Sequence, residues 1–409
     1  VSLDPRRLRA DFPQLARCVH GKRLVYLDSA ASAQKPQAVL DAMDEAYRHH
    51  YANVHRGVYT IAEEATAAFE DARATVAGFV GAPPEELVFT RNATEAINLV
   101  AHAYGRSRLR PGDVVVVTEM EHHANIVPWH QLAAERGVTL RWARLDGDYR
   151  LDLEHLAACL DGAALLAVTA MSNVLGTVND VPRLVALART AGAAVLVDAS
   201  QAVPHFPVDV GAWGADFVAF TGHKMLGPSG IGCLWARREL LEAMPPFLGG
   251  GEMIRDVTRD TFTCNEVPWK FEAGTPPIVE AIGLGAAARY LAALGMDAVA
   301  AHERALTAYA LERIEASLGG RLRVFGPRAL EARGGVISVA FDGIHAHDVS
   351  QVLDEDAVCV RAGHHCAKPL MRVLGVPATA RASFSVYNDT DDVDALVAAL
   401  ERAERFFGL

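Results

Sequence analysis

The stretch DFVAFTGHKMLGPSGIG, Asp216 to Gly232, opens as an apolar strand, Phe217–Thr221. It then sets Gly222, His223 and Lys224 at the strand's tip, before a turn rich in Gly and Pro. A buried strand that ends on a lysine poses a physical question. Ammonium groups are costly to bury, and most lysines lie in water. The plain reading is a surface lysine on a loop. The other is an amine whose pKa is tuned so that it condenses with a carbonyl. The rest of the chain decides between them.

Outward from this stretch, from about Leu24 to Ala288, short apolar runs alternate with amphipathic segments. Leu87–Thr90, Val114–Thr118, Leu165–Met171, Ala194–Asp198 and Ile231–Ala236 read as further strands. Pro36–His49, Ile61–Val80, Ala93–Tyr104, Trp129–Arg136, Leu153–Leu160 and Pro182–Ala191 read as helices. Buried runs separated by helices predict an α/β fold, a mostly parallel sheet with helices on both faces. After Tyr290 the pattern changes. A long helix, Ile278 to Ser317 with an interruption near Gly295, leads into strands at Val336–Phe341, Val358–Val360 and Arg381–Val386. Helices at Ala346–Leu353 and Asp391–Phe406 complete a small α+β unit. The expected division is a large domain over 20–290 and a small one made of 1–19 and 291–409.

The 409 residues are 51% hydrophobic, enough for a large core, and carry a net charge of -11. No basic stripe is present, which argues against a nucleic-acid partner. The longest apolar runs, such as Ala163 to Met171, fall short of the roughly 18 residues of a membrane span. The N-terminus, VSLDPRRLRADFPQL, has no apolar signal core, so a cytoplasmic, membrane-free protein is expected. The six cysteines form no CxxC pair. Five read as small buried hydrophobes. Cys366 stands among Arg361, His364, His365 and Lys368, the setting of a reactive thiol. A zinc site from His122, His123, His364, His365 and Cys366 is disfavoured, because adjacent His pairs rarely supply the separated directions of a tetrahedron. No metal is expected.

The run Val195 to Gln201, VLVDASQ, ends a strand in Asp198 with Gln201 three positions on. Ligands of open α/β sheets sit beyond the carboxyl ends of strands, so Asp198 faces a pocket or simply caps a helix. Lys224 ends another strand. An amine and a carboxylate so placed suit pyridoxal phosphate. The amine condenses with its aldehyde and the carboxylate keeps a proton on its ring nitrogen. Thr94, opening a helix after a strand, either holds the phosphate or is a plain cap, and His223 is a second candidate donor. His122, after strand Val114–Thr118, is placed to stack on the ring and exchange protons.

The segments LDSAASAQKP, NVHRGVYTIAEEAT, NATEAINLVA, EHHANIVPW, SNVLGTVN, VDASQAVPH, GHKMLGPSGIG, FEAGTPP, RAGHHCAKPLM and ARASFSVYN run in order from Leu27 to Asn388. Together they resemble a pyridoxal-phosphate-dependent cysteine desulfurase of the SufS type (group II), within the class V aminotransferase-like family. The resemblance implies fold type I, with a seven-stranded, mostly parallel sheet and a small C-terminal α+β domain. It implies Lys224 as the Schiff-base lysine, with Asp198 and Gln201 on the ring nitrogen and phenolic oxygen and His122 stacked on the ring. Thr94, Thr221 and His223 would hold the phosphate, and Thr275 would reach that of the other subunit of a homodimer. Asn173, Arg361 and Arg381 would engage substrate L-cysteine, and Cys366 would take its sulfur as a persulfide for iron–sulfur cluster assembly. His347 resembles the residue that meets the zinc of a SufU-type sulfur acceptor; a SufE-type acceptor fits less well. A selenocysteine lyase of the same fold, acting on L-selenocysteine, shares these residues. Transaminase or kynureninase-like chemistry does not need Cys366. A non-catalytic sulfur-delivery scaffold would not need Lys224.

Overall fold

Strand Val114–Thr118 shows why the central runs are apolar without alternation. Val114 and Val116 pack into one hydrophobic cluster, Val115 and Val117 into another on the opposite face of the sheet. The same division holds for Val195 and Val197 against Leu196, and for Val218 and Phe220 against Phe217 and Ala219. Successive side chains of a strand point to opposite faces, so a strand covered on both sides needs an apolar residue at every position.

The computed structural model describes residues 3–408. Its main sheet has seven strands: β1 (Leu87–Thr90), β2 (Val114–Thr118), β3 (Thr139–Ala143), β4 (Ala163–Thr169), β5 (Ala194–Asp198), β6 (Phe217–Thr221) and β7 (Gly232–Ala236). Their order is β1-β7-β6-β5-β4-β2-β3; β7 runs antiparallel to both neighbours and the other pairings are parallel. The start of β7 presses on the loop after β1. A Cβ at Gly232 would lie 2.5 Å from the Cα of Asn92, a contact only glycine permits.

The seven-stranded, mostly parallel α/β sheet agrees with the expectation. Strand β3 has no counterpart in it, because Thr139, Leu140, Arg141 and Trp142 lie at an edge and stay partly exposed, which leaves only a weak apolar signal. Strand β4 starts two residues earlier than expected. The helix opened by Ala93 is α-helical to Leu99 and π-helical over Val100–Gly105. The long bridging helix is two, Ile278–Leu294 and Met296–Leu318, bent by 75° where Gly295 takes a φ of +83°. No single helix among the described residues is long and apolar enough to cross a membrane.

Beyond the bend, β8 (Leu322–Phe325), β9 (Val336–Phe341), β10 (Arg361–Gly363) and β11 (Thr379–Ser383) form an antiparallel sheet in the order β8-β9-β11-β10. Residues of Met296–Leu318, Ala346–Asp354 and Thr390–Phe407 share a core with these strands. Val358–Cys359 does not join this sheet. It pairs in parallel with Val25–Tyr26, and Val25 and Leu27 belong to the same core. The segment after Tyr26 then reaches the large sheet's edge, where Ala30 and Ala31 border a cavity. Residues 1, 2 and 409, which the expected small domain includes, lie outside the described residues.

Candidate active site

Parallel strands carry their carboxyl ends to one edge, and five ends meet there. Beyond β1 lie Asn92 and Thr94, beyond β2 His122, beyond β4 Asn173. Asp198 ends β5, and Thr221, His223 and Lys224 follow along β6. With Arg361 and Arg381 from the small sheet they line a cavity of about 230 Å³. Nine residues expected at the site therefore share one cavity: Thr94, His122, Asn173, Asp198, Thr221, His223, Lys224, Arg361 and Arg381. Gln201 is buried behind it, donating from Nε2 to the Ala30 carbonyl at 2.8 Å.

Lys224 is not a surface lysine. Burial, reinforced by Arg381 and Arg361 and opposed by Asp198, brings its amine down to about 8. Such a group is neutral often enough to act as a nucleophile near neutral pH. Buried Asp198 accepts from the Ser200 N–H at 3.0 Å through Oδ1. His122 accepts from the Ala124 N–H through Nδ1 at 3.1 Å, which puts the ring proton on Nε2. Burial and the Lys224 charge hold this imidazole well below its ordinary range, so it is neutral. Burial, with Lys224 and Lys35, likewise lowers His223 to about 4.

Arg381 is fully buried. Nη2 donates to Asp28 Oδ1 at 3.0 Å and Nη1 to the Asn173 carbonyl at 2.9 Å, while Nε has no partner. Ser200 Oγ, Gln201 Oε1 and Thr221 Oγ1 are also buried and unpartnered. A buried polar atom left unpaired costs about 1–3 kcal/mol, so three lining one cavity and a fourth behind it mark surroundings built for a polar ligand. A condensing amine, a buried carboxylate and unpaired hydroxyls form a donor set that suits pyridoxal phosphate.

Cys366 sits on the loop after β10. Its carbonyl accepts from the His123 N–H at 2.6 Å, and its own N–H donates to His364 Nδ1 at 3.1 Å. Asn173 Nδ2 holds the His365 carbonyl at 2.8 Å. His365 and Cys366 adopt left-handed φ values of 49° and 55°, a strained pair for residues with side chains. The half-buried thiol does not border the cavity, although His365, its neighbour on the loop, does.

Two expected residues lie elsewhere. Thr275 is exposed and lines a separate cavity of about 760 Å³ with Leu248 and Arg91. His347 is exposed on helix Ala346–Asp354, where a Cβ at Gly363 would come within 3.9 Å of its Nε2. That places it beside the strand leading to Cys366. Four residues had no expected role: Ser200, Asp28, His123 and Glu121. The Glu121 carboxylate accepts from the Thr118 hydroxyl, the Thr169 N–H and Asn125 Nδ2 at 2.6, 2.9 and 2.7 Å, tying β2 and β4 to the His122 loop. All four stand inside the recognisable segments LDSAASAQKP, EHHANIVPW and VDASQAVPH. Their neighbours were more conspicuous.

The aminotransferase class-V family model matches residues 25–396. A probable cysteine desulfurase of Streptomyces coelicolor is 52% identical over 99% of this chain and 98% of its own length. Among solved structures, the apo cysteine desulfurase of Thermococcus onnurineus superposes with a TM-score of 0.93 at 39% identity, covering 100% of this chain and 99% of that one. The Escherichia coli cysteine desulfurase CsdA, in an S-sulfonic acid form, gives 0.90 at 41% identity, covering 99% and 100%.

Proposed function

Since the chain belongs to the aminotransferase class-V family, we propose that it is a pyridoxal-phosphate-dependent cysteine desulfurase whose sulfur is taken by Cys366. The reaction balances as L-cysteine plus the Cys366 thiol giving L-alanine plus a Cys366 persulfide. Pyridoxal phosphate supplies an aldehyde for amines and a protonated ring that withdraws electrons from the substrate's α-carbon.

Each residue has a task that its surroundings support. With the cofactor bound, Lys224 Nζ would be the amine that holds its aldehyde and the base for the α-proton, and Asp198 and Gln201 would serve its ring nitrogen and phenolic oxygen. Thr94, Thr221 and His223 would hold its phosphate, and His122, neutral with a proton on Nε2, would lie against the ring and carry protons. Arg381 grips the substrate carboxylate, with Asn173 and Arg361 beside it. The Cys366 thiolate attacks the substrate sulfur from the loop side.

The observation that carries this reading is the lowered Lys224 amine sharing one cavity with Asp198, His122 and Arg381, with Cys366 held just outside it. Incubation with L-cysteine should release alanine. Cys366→Ala should abolish that release while the protein stays yellow with bound cofactor. Alanine formation surviving in Cys366→Ala would sink the role of the thiol. The same assay with L-selenocysteine separates a desulfurase from a selenocysteine lyase.

The wider setting belongs to the same reading: a cytoplasmic homodimer, Thr275 reaching the partner's phosphate, and sulfur passed toward iron–sulfur assembly. His347, exposed beside the strand that leads to Cys366, supports a zinc-bearing acceptor of the SufU type. His347→Ala should remove stimulation by such an acceptor and spare basal turnover; unchanged stimulation would dismiss it.

A further inference from the structure

The His pairs 122–123 and 364–365 split. His122 faces the cavity, and His365 turns inward to Thr379 Oγ1 at 2.9 Å. Their neighbours His123 and His364 turn toward each other with ring centroids 5.6 Å apart. With Cys366 they bring three ligand atoms within 4.8 Å of one another. We propose that His123, His364 and Cys366 form a site for a borderline-soft divalent cation of the zinc class, which caps the thiol and arrests sulfur transfer.

Zinc takes thiolate and imidazole at about 2.3 and 2.0–2.1 Å, so tetrahedral neighbours lie about 3.3–3.6 Å apart. The loop must close by roughly an ångström to meet that geometry. All three residues are half-buried, so water and ions reach them while two walls are already in place. A fourth position remains for water.

The site competes with the resting loop. His364 Nδ1 accepts from the Cys366 N–H at 3.1 Å, and His123 Nε2 accepts from the Lys368 N–H at 2.9 Å. A cation that takes these lone pairs gives up two modest hydrogen bonds for stronger metal bonds and frees the loop's backbone. No electrons move. The thiol loses its proton to solvent as the sulfur–metal bond forms.

The arrest rests on Cys366 being the nucleophile; the binding does not, so it is measured without turnover. Metal-stripped holoenzyme is titrated with Zn²⁺ against a chromogenic chelator, and with Co²⁺ for a thiolate charge-transfer band. One zinc per chain is expected at this site, with Zn²⁺ protecting Cys366 from alkylation as mapped by peptide mass spectrometry. His364→Ala and His123→Gln should each weaken binding about tenfold or more, Cys366→Ser should remove the cobalt band, and Cys18→Ser should change nothing. Binding that persists undiminished in His364→Ala, or alkylation unaffected by Zn²⁺, overturns the site. If His123→Gln fails to fold, His364→Ala and the alkylation rates decide alone. Alanine release without Cys366 would instead remove the functional reading and leave the metal site standing.

Discussion

Lys224 is placed where the main strand edge, two arginines and a carboxylate act on one amine, and the balance sets a measurable pH. With the amine at about 8, about a tenth is neutral at pH 7, against about one part in 3,000 for a lysine at its usual 10.5. Capture of added pyridoxal phosphate by the apoprotein, followed by absorbance, should therefore rise with pH to a midpoint near 8. Arg361 lowers this amine, so Arg361→Met should move the midpoint upward. A downward move would reverse the assigned sign. Glu121 offers a second titration. Burial, with Asp198, pushes its carboxyl from 4.5 up to about 8. The fold thus binds a proton that the unfolded chain gives up, and the stabilisation is present below about pH 4.5 and lost as pH rises through about 8. Against Glu121→Gln, which cannot titrate, the native protein's denaturant midpoint should fall relative to the variant across that window. Parallel curves would mean that Glu121 is already charged at low pH.

The strand β11 decides how the small sheet serves the site, and here the sequence is legible in kind but not in register. The run Arg381 to Val386 reads as a strand because it is apolar, yet the strand is Thr379–Ser383 and Arg381 stands at its middle. There Arg381 lies directly opposite Arg361 across the β10–β11 pair. Like charges so paired repel, and no propensity scale anticipates the arrangement. Asp28, far away in sequence, answers part of that charge. Strand β3 was likewise invisible because an edge strand needs no full apolar face. The Lys224, Asp198 and His122 positions were legible because each ends a clear apolar run. The Cys366 loop was not, since it is held by side chains from other elements. Asn173 is one such tether. Asn173→Ala leaves the buried His365 carbonyl unpaired, a loss of about 1–3 kcal/mol to the closed loop. Alkylation of Cys366 by iodoacetamide should then quicken by about fivefold or more, with overall melting little changed. An unchanged rate would show the loop to be held elsewhere.

At the scale of the whole molecule, the cavity and Thr275 are separated on one chain. The exposed Thr275 lines a second cavity with Leu248, itself 47% exposed, and none of the Lys224 cavity's residues belongs to it. If Thr275 serves the partner's phosphate, each site of a homodimer is built from two chains. Co-expression of Lys224→Ala with Thr275→Ala, under two different tags, tests this directly. In the purified mixed dimer one site carries both defects. The other pairs an intact Lys224 with an intact Thr275 from its neighbour. About half of the native alanine release should return, although each variant alone is impaired. If Thr275 acted within its own chain, the site with intact Lys224 would always face the damaged Thr275, and mixing would restore nothing. Light scattering on the same samples fixes the number of chains, so a monomer would also be seen and would refute the shared site.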